Sequence, residues 1–184
     1  MNILHVVSAP AAGGAEVYVR DMAINLASSG HEVHVGFLSH ADEIDRCPEF
    51  EREFIDQLTS AGVRHFFIGH AARRMPWLGV KQVRGYVLAN RIDIYHSHLT
   101  FGILFGAFLQ VPRVYTHHNI KMRVGRLSFR ILSSFVDSLV GISKDCSTAL
   151  REHSGLEVDT IYNGVDVGRM SRERICAREI GGEI

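Results

Sequence analysis

The sequence predicts an α/β domain of the Rossmann-like, doubly wound type, with a mostly parallel sheet of about seven strands and helices on both faces. Two observations carry this prediction. Short apolar runs of strand length alternate with helical patterns almost to the end of the 184-residue chain, and such alternation requires crossover connections between parallel strands. A hydrophobic fraction of 46% is sufficient for one well-cored domain.

Four strands and three helices are predicted in the first half of the chain. Residues 3–7 form a strand, and a loop of small residues (8–14) precedes a helix that stops at Gly30, a residue suited to the left-handed C′ position. Val33, Val35 and Phe37 alternate with polar residues as a second strand. Pro48 opens the second helix. The third strand, the third helix and the fourth strand follow at 63–68, 80–87 and 92–95.

The second half continues the alternation. Residues 101–109 are apolar on every side, which is typical of a buried helix, and residues 111–116 form the fifth strand. The apolar face of the next helix is predicted at Leu127, Ile131 and Phe135. After a sixth strand at 139–142, Ser143 is expected to cap a helix, and residues 158–162 form the seventh strand.

Composition excludes several classes of protein. The formal net charge is zero and the pI is about 7.2, so the sequence lacks the positive charge of a nucleic-acid-binding protein. Three cysteines stand far apart without a CxxC pair, as expected in a reducing compartment. The start is not that of a secretory signal, and the longest apolar stretch is about half the length of a membrane span. We therefore expect a cytoplasmic protein, and contact with a membrane surface stays open.

The loop after the first strand contains the first candidate site. Gly13 and Gly14 lead directly into a helix, where free backbone N–H groups and the helix dipole favour an anion such as phosphate. The spacing is neither that of a dinucleotide fingerprint nor that of a P-loop. A tight turn that binds no ligand explains these glycines equally well.

Histidines collect after the fourth and fifth strands. His96 and His98 are two residues apart, so both imidazoles project to one face, and His117, His118 and Asn119 end the neighbouring strand. Imidazole is a common zinc ligand, yet neither loop holds a carboxylate or a cysteine, so no metal is expected. Two interpretations of these histidines remain open. In one they only make hydrogen bonds at the strand ends, and in the other they contact a hydroxylated or phosphorylated substrate.

Basic residues follow this second histidine group. A solvent-exposed helix face is favoured over an anionic ligand or a lipid surface for Lys121, Arg123, Arg126 and Arg130. Three loops, at 40–48, 69–79 and 119–126, are the expected determinants of substrate choice at this edge of the sheet. No Ser/His/Asp order or nucleophile-elbow pattern indicates a hydrolase.

Five motifs in this order resemble the N-terminal domain of family 4 retaining glycosyltransferases of the GT-B fold. They are Gly13-Gly14-Ala15-Glu16, residues 92–98 (Ile-Asp-Ile-Tyr-His-Ser-His), residues 116–119 (Thr-His-His-Asn), residues 140–143 (Val-Gly-Ile-Ser) and residues 161–166 (Ile-Tyr-Asn-Gly-Val-Asp). The resemblance covers residues 1–166. It implies that residues 167–184 are the linker and shortened start of a C-terminal donor-binding domain, and that the isolated chain turns over little substrate.

The resemblance also implies roles for single residues. Gly13 and Gly14 match the glycine loop beside the donor diphosphate, and His98 matches the catalytic histidine that reaches the donor sugar. His96, His118, Asn119 and Lys121 are expected to bind acceptor or substrate. The implied partners are a nucleotide-sugar donor, which is a substrate, and a sugar or lipid-linked acceptor in envelope polysaccharide or glycolipid synthesis. No cofactor or metal is implied.

Two other functions compete with this interpretation. A non-catalytic Rossmann-like module could bind a phosphorylated metabolite or a partner subunit. A nicotinamide dehydrogenase is suggested by the fold alone. The second strand ends in Phe37-Leu38-Ser39-His40 without an acidic residue for a ribose, which disfavours the dehydrogenase.

Overall fold

The computed structural model describes residues 1–164 and contains one parallel sheet of seven strands, which confirms the predicted fold class. The strands lie in the order β3-β2-β1-β4-β5-β6-β7, and every neighbouring pair is parallel. Their bounds are Asn2–Val7 (β1), Glu32–Phe37 (β2), Arg64–Phe67 (β3), Ile94–Ser97 (β4), Arg113–His117 (β5), Ser138–Gly141 (β6) and Asp159–Thr160 (β7). The expected domain boundary at 166 and the segment 167–184 lie outside the described residues.

Helices connect the strands. They span Gly14–Ser28 (α1), Pro48–Ser60 (α2), Pro76–Ala89 (α3), Gly102–Gly106 (α4), Arg126–Ser133 (α5) and Lys144–Ser154 (α6), with short 3-10 turns at Asp42–Ile44 and His70–Arg73. The side chain of Ser143 accepts a hydrogen bond from the Cys146 amide, as a helix cap does. Within residues 1–164, none of the helices combines the length and the apolarity needed to cross a bilayer.

The core lies on both faces of the sheet. Leu4 and Val6 of β1 pack with residues of α3 and α4 on one face. Val7 packs with residues of α1 and α2 on the other. Because side chains alternate along a strand, His5 shares the α1 face with Val7. A third cluster, which includes Phe129 of α5 and Leu150 of α6, covers the β5–β6 end of the sheet.

Strand order places the topological switch point, where sheets of this type form a ligand crevice, between β1 and β4. The chain proceeds from β1 outward to β3, then returns to β4 and continues to β7 on the opposite side. At such a switch point the two connecting loops leave on opposite faces, and ligands of doubly wound sheets bind beyond the carboxyl ends of these strands. Here those ends are Val7 and Ser97.

His34 is one of the polar residues of the alternating strand β2, yet it is fully buried, since β2 lies inside the sheet and both of its faces are covered. One prediction about a helix face is wrong. Leu127 and Ile131 were expected to pack inward, but their side chains are 76% and 59% exposed. The buried residues of α5 are instead Phe129 and Ser133.

Candidate functional site

Four histidines from three strands meet on the α1 face of the sheet. His5 lies in β1, His96 lies beside it in β4 with the register His5 to His96, and His98 follows β4. His118 follows β5, whose residue Thr116 lies on the same face. The histidine cluster (His5, His96, His98 and His118) therefore occupies the carboxyl ends of the strands at the switch point.

Hydrogen bonds connect three of these imidazoles in series. His5 Nδ1 lies 3.2 Å from His98 Nε2, and His98 Nδ1 lies 3.0 Å from His118 Nε2. His96 packs against His98, with 4.1 Å between the ring centroids, and its Nε2 lies 2.8 Å from Thr116 Oγ1. Both ring nitrogens of His98 are thus engaged within the protein.

Burial keeps the cluster uncharged at neutral pH. Desolvation is the main cause that lowers the pKa of His5 and of His118 to about 4. It also holds the pKa of His96 and of His98 well below the usual range, and the neighbouring imidazoles reinforce this effect. A neutral imidazole offers one N–H donor and one acceptor nitrogen, so the cluster provides hydrogen bonding without charge.

Helix α1 connects the glycine loop to the cluster. Tyr18 lies one turn after Gly14, and its ring centroid is 6.4 Å from that of His98 and 5.5 Å from that of His118. The N-terminal turns of α1 therefore pack over the same strand ends as the histidines. Gly14 and His98 lie on one side of the molecule.

The two glycines have no conformational reason to be glycine. Neither Gly13 nor Gly14 has a positive φ, and Gly13 is extended at φ −99° and ψ 150°. A Cβ at Gly14 would contact nothing in the protein, whereas one at Gly13 would overlap the carboxylate of Glu16. Burial raises the pKa of Glu16. The bare backbone at Gly14 leaves open space in front of the helix N-terminus, where an anion is favoured.

Not every predicted site residue joins the cluster. The structure brings together His96, His98 and His118, but His117 points to the other face, where its Nδ1 lies 2.8 Å from the Tyr115 hydroxyl. Asn119 and Lys121 are exposed in the loop 118–125, and in the described part of the chain their side chains make no hydrogen bond to the cluster.

Sequence reasoning missed His5 and Tyr18. His5 is the one polar residue within the apolar run 3–7, which was a usable signal. Its role became visible only with the pairing of β1 and β4, which sets His5 beside His96. Tyr18 gave no signal beyond its place one turn after the glycines.

Three of the imidazoles are also close enough to share a metal ion. Candidate ligand nitrogens of His5, His96 and His98 lie within 4.8 Å of one another, and imidazole suits zinc, copper and nickel. Among the described residues, no carboxylate or thiolate completes the set. Binding through His98 would also break one of its two hydrogen bonds. The absence of a functional metal stays a prediction.

A comparison with protein families identifies the chain. The family model described as Glycosyltransferase Family 4 matches residues 12–169, a range that includes Gly13, Gly14 and three members of the histidine cluster, His96, His98 and His118. The chain belongs to glycosyltransferase family 4. No curated protein matches this family 4 chain.

Solved structures agree with the family 4 assignment at the level of the fold. Anabaena HepE, solved with UDP-glucose, is 19% identical, with a TM-score of 0.64 over 98% of this chain and 50% of its own. A Rickettsia africae glycosyltransferase is 15% identical and has a TM-score of 0.69. The match covers 100% of this chain and 50% of the Rickettsia chain. The lipopolysaccharide outer core galactosyltransferase WaaB is 11% identical and has a TM-score of 0.65. The match covers 91% of this chain and 47% of the WaaB chain. The family 4 chain therefore spans about half the length of these proteins.

Proposed function

We propose that this chain is the acceptor-side half of a retaining glycosyltransferase that transfers a hexose from a nucleotide sugar to an acceptor hydroxyl. Residues 1–166 form the domain, and residues 167–184 begin the linker to a donor-binding domain. The observation that carries the proposal is the pairing of an open helix N-terminus at Gly14 with the neutral His98–His118 pair across one crevice. HepE, a structural neighbour, was solved with UDP-glucose.

The glycine loop would stabilise the leaving group. In the transfer, the bond between the anomeric carbon and the diphosphate oxygen breaks, and negative charge grows on the diphosphate. The first N–H groups of α1 lack intrahelical partners, and the space that a Cβ at Gly14 would enter is open. These groups would donate hydrogen bonds to the charge on the diphosphate as it develops. The carboxylate of Glu16 lies against Gly13, so it must turn away when the diphosphate enters.

The histidines would orient the sugars. His98 is the candidate catalytic residue on the donor side, and His96, His118, Asn119 and Lys121 are the candidates for substrate or acceptor binding. Since burial lowers the pKa values of His96, His98 and His118, these side chains would contact the sugars without attracting a counterion. His98, whose ring nitrogens both bond within the protein, would exchange one of these hydrogen bonds for a substrate hydroxyl. In a retaining transfer, a diphosphate oxygen accepts the proton of the acceptor hydroxyl as the new glycosidic bond forms. No cofactor takes part in this scheme.

A complementation assay tests the function. The chain is co-expressed with the donor-binding domain of another family 4 enzyme, and nucleotide sugars are screened for transfer and hydrolysis. We expect activity from the pair and little from the chain alone. His98→Ala should remove most of this activity, whereas His65→Ala, in edge strand β3, should not. Activity of the isolated chain, or full activity of the His98→Ala variant in the pair, would contradict the proposal. A pair that is inactive but binds phosphorylated metabolites would favour a non-catalytic binding module.

We also propose contact with an anionic membrane surface, consistent with a lipid-linked acceptor at the cytoplasmic face. Leu127 and Ile131 project from α5 into solvent, and Ile120 before the helix is 62% exposed. Segment 119–134 carries four basic residues and no acidic one. The Arg126–Glu152 contact is long, at 4.0 Å, and exposed at both partners, so it leaves the positive charge largely uncompensated. Apolar side chains among basic ones match an anionic bilayer interface.

Vesicle binding tests this surface. Each basic residue near an anionic surface contributes about 1 kcal/mol, and a fully buried Leu or Ile side chain about 2 kcal/mol. We expect sedimentation with phosphatidylglycerol vesicles, little with phosphatidylcholine, and loss of binding in high salt. The double substitution Leu127→Ser with Ile131→Ser should weaken binding by about tenfold or more. Leu88→Ser, a control at an equally exposed leucine on α3, should not, and equal loss in both variants would contradict the proposal.

A further inference from the structure

Hydrogen bonds along the His5–His98–His118 series are donated in one direction, and the structure allows that direction to be assigned. Each neutral imidazole has one N–H and one bare nitrogen, so a series of them donates consistently one way or the other. In one direction His5 donates to His98 and His98 donates to His118. In the opposite direction His118 donates to His98 and His98 donates to His5.

The second nitrogen of His5 distinguishes the two directions. His5 Nε2 is buried and has no hydrogen-bond partner in the part of the chain that the structure describes. If His5 accepted from His98, its single proton would sit on this buried, unpartnered Nε2. If His5 donates through Nδ1, Nε2 is a bare acceptor. Orphaned buried N–H groups are rarer than unsatisfied acceptors, so the environment favours a proton on Nδ1.

We propose that His5 is a positioning residue that fixes the tautomers of His98 and His118, so that His118 presents Nδ1–H to the crevice as a hydrogen-bond donor. The protons follow from the contacts: His5 Nδ1–H donates to His98 Nε2, and His98 Nδ1–H donates to His118 Nε2. His118 must then carry its proton on Nδ1, which has no partner among residues 1–164 and belongs to a half-buried side chain.

The direction determines what His118 can do in the proposed transfer. An Nδ1–H group recognises an oxygen that accepts, such as a phosphate oxygen or a hydroxyl oxygen of the nucleotide sugar. A bare Nδ1 could instead remove a proton from an acceptor hydroxyl as a general base. With the assigned direction, His118 is a binding group, and the proton of the acceptor hydroxyl is accepted by the diphosphate. This functional consequence rests on the proposed glycosyltransferase function, whereas the tautomers themselves do not.

Nitrogen NMR of the histidine side chains tests the assignment. The 184-residue chain is labelled with ¹⁵N-histidine, and long-range ¹H–¹⁵N spectra at pH 7 separate protonated from bare ring nitrogens. We expect Nδ1 to be protonated and Nε2 bare in His5, His98 and His118. Protonated Nε2 in His98 and His118, or an equal mixture of tautomers, would overturn the proposal.

Two substitutions of His5 distinguish a role in fixing the tautomers from a role in packing alone. His5→Asn retains an N–H donor near the position of Nδ1 and should keep the tautomers of His98 and His118. His5→Leu fills the site without a donor, and should shift both toward mixed tautomers. If both variants leave the tautomers unchanged, or both disturb them equally, His5 does not set the direction. Should neither variant fold, the wild-type spectrum alone still decides the assignment.

A ligand titration keeps this result separate from the proposed function. Inorganic pyrophosphate and UDP-glucose are added to the labelled chain, and the Nδ1 resonance of His118 is followed. We expect this resonance to shift while Nδ1 of His118 stays protonated. If the tautomers are as assigned but no ligand moves the His118 signal, the hydrogen-bond direction stands and the donor role of the site fails. If the ligand converts Nδ1 to the bare type, the binding role of His118 fails.

Discussion

Acidification from pH 7 to pH 5 is expected to lower the free energy of unfolding steeply. His5 and His118 have pKa values of about 4 in the folded protein, whereas an unfolded histidine titrates near pH 6.5. Below that pH the unfolded chain binds protons that the folded chain does not. Each such histidine then removes up to about 1.4 kcal/mol of stability per pH unit. Their stabilising contribution is complete above pH 6.5 and is lost as the pH falls to about 4.

Urea unfolding at pH 7, 6 and 5, followed by circular dichroism, measures this slope. His118→Gln retains a hydrogen-bonding group beside His98 without a titrating ring, so its slope should be shallower than that of the wild type. His65→Gln, in the edge strand β3, should retain the wild-type slope. Stability that is independent of pH between 7 and 5 would show that the cluster is not buried as the structure has it.

Loss of anion binding without loss of folding is expected for Gly14→Val. A Cβ at this position would meet no protein atom within 4 Å, and Gly14 is the first residue of α1, so the thermal midpoint should barely change. The added methyl groups would occupy the space through which a diphosphate reaches the helix N-terminus. We expect the affinity for pyrophosphate to fall by about tenfold or more, equivalent to about 1.4 kcal/mol.

A matched glycine provides the control for Gly14. Gly85 in α3 also has open space around an added Cβ, yet it lies far along the chain from the glycine loop. Gly85→Val should leave pyrophosphate affinity unchanged. Equal affinities for the wild type and Gly14→Val would remove the anion-binding role of the loop, and unfolding of Gly14→Val would contradict the open space seen at that position.

The sequence was sufficient for the fold and for most of the cluster. Alternating apolar runs predicted the parallel sheet, and the two-residue period predicted that His96 and His98 share a face. The same period also separates His117 from His118, since neighbouring residues of an extended chain face opposite ways. His117 accordingly contacts Tyr115 and not the cluster.

Pairing between distant segments was harder to predict. His5 reaches the site only because β1 and β4 are neighbours in the sheet and register His5 with His96, a fact that no local pattern contains. The face of α5 illustrates another limit. Leu127 and Ile131 are four residues apart, and so are Phe129 and Ser133, so helical spacing alone does not say which pair packs inward. The correct pair is set by the cluster that Phe129 joins with Leu139 and Leu150.

Mapping the binding site of UDP-glucose by NMR is the most direct test of a donor site shared by the glycine loop and the histidines. The backbone amides of Gly13 and Gly14 and the ring nitrogens of His98 and His118 are followed together during a titration. We expect all four residues to shift with one common dissociation constant. Shifts concentrated in the groove of about 770 Å³ between β3 and α3, which Phe66 and Tyr86 line, with the loop and the imidazoles unmoved, would contradict a shared donor site.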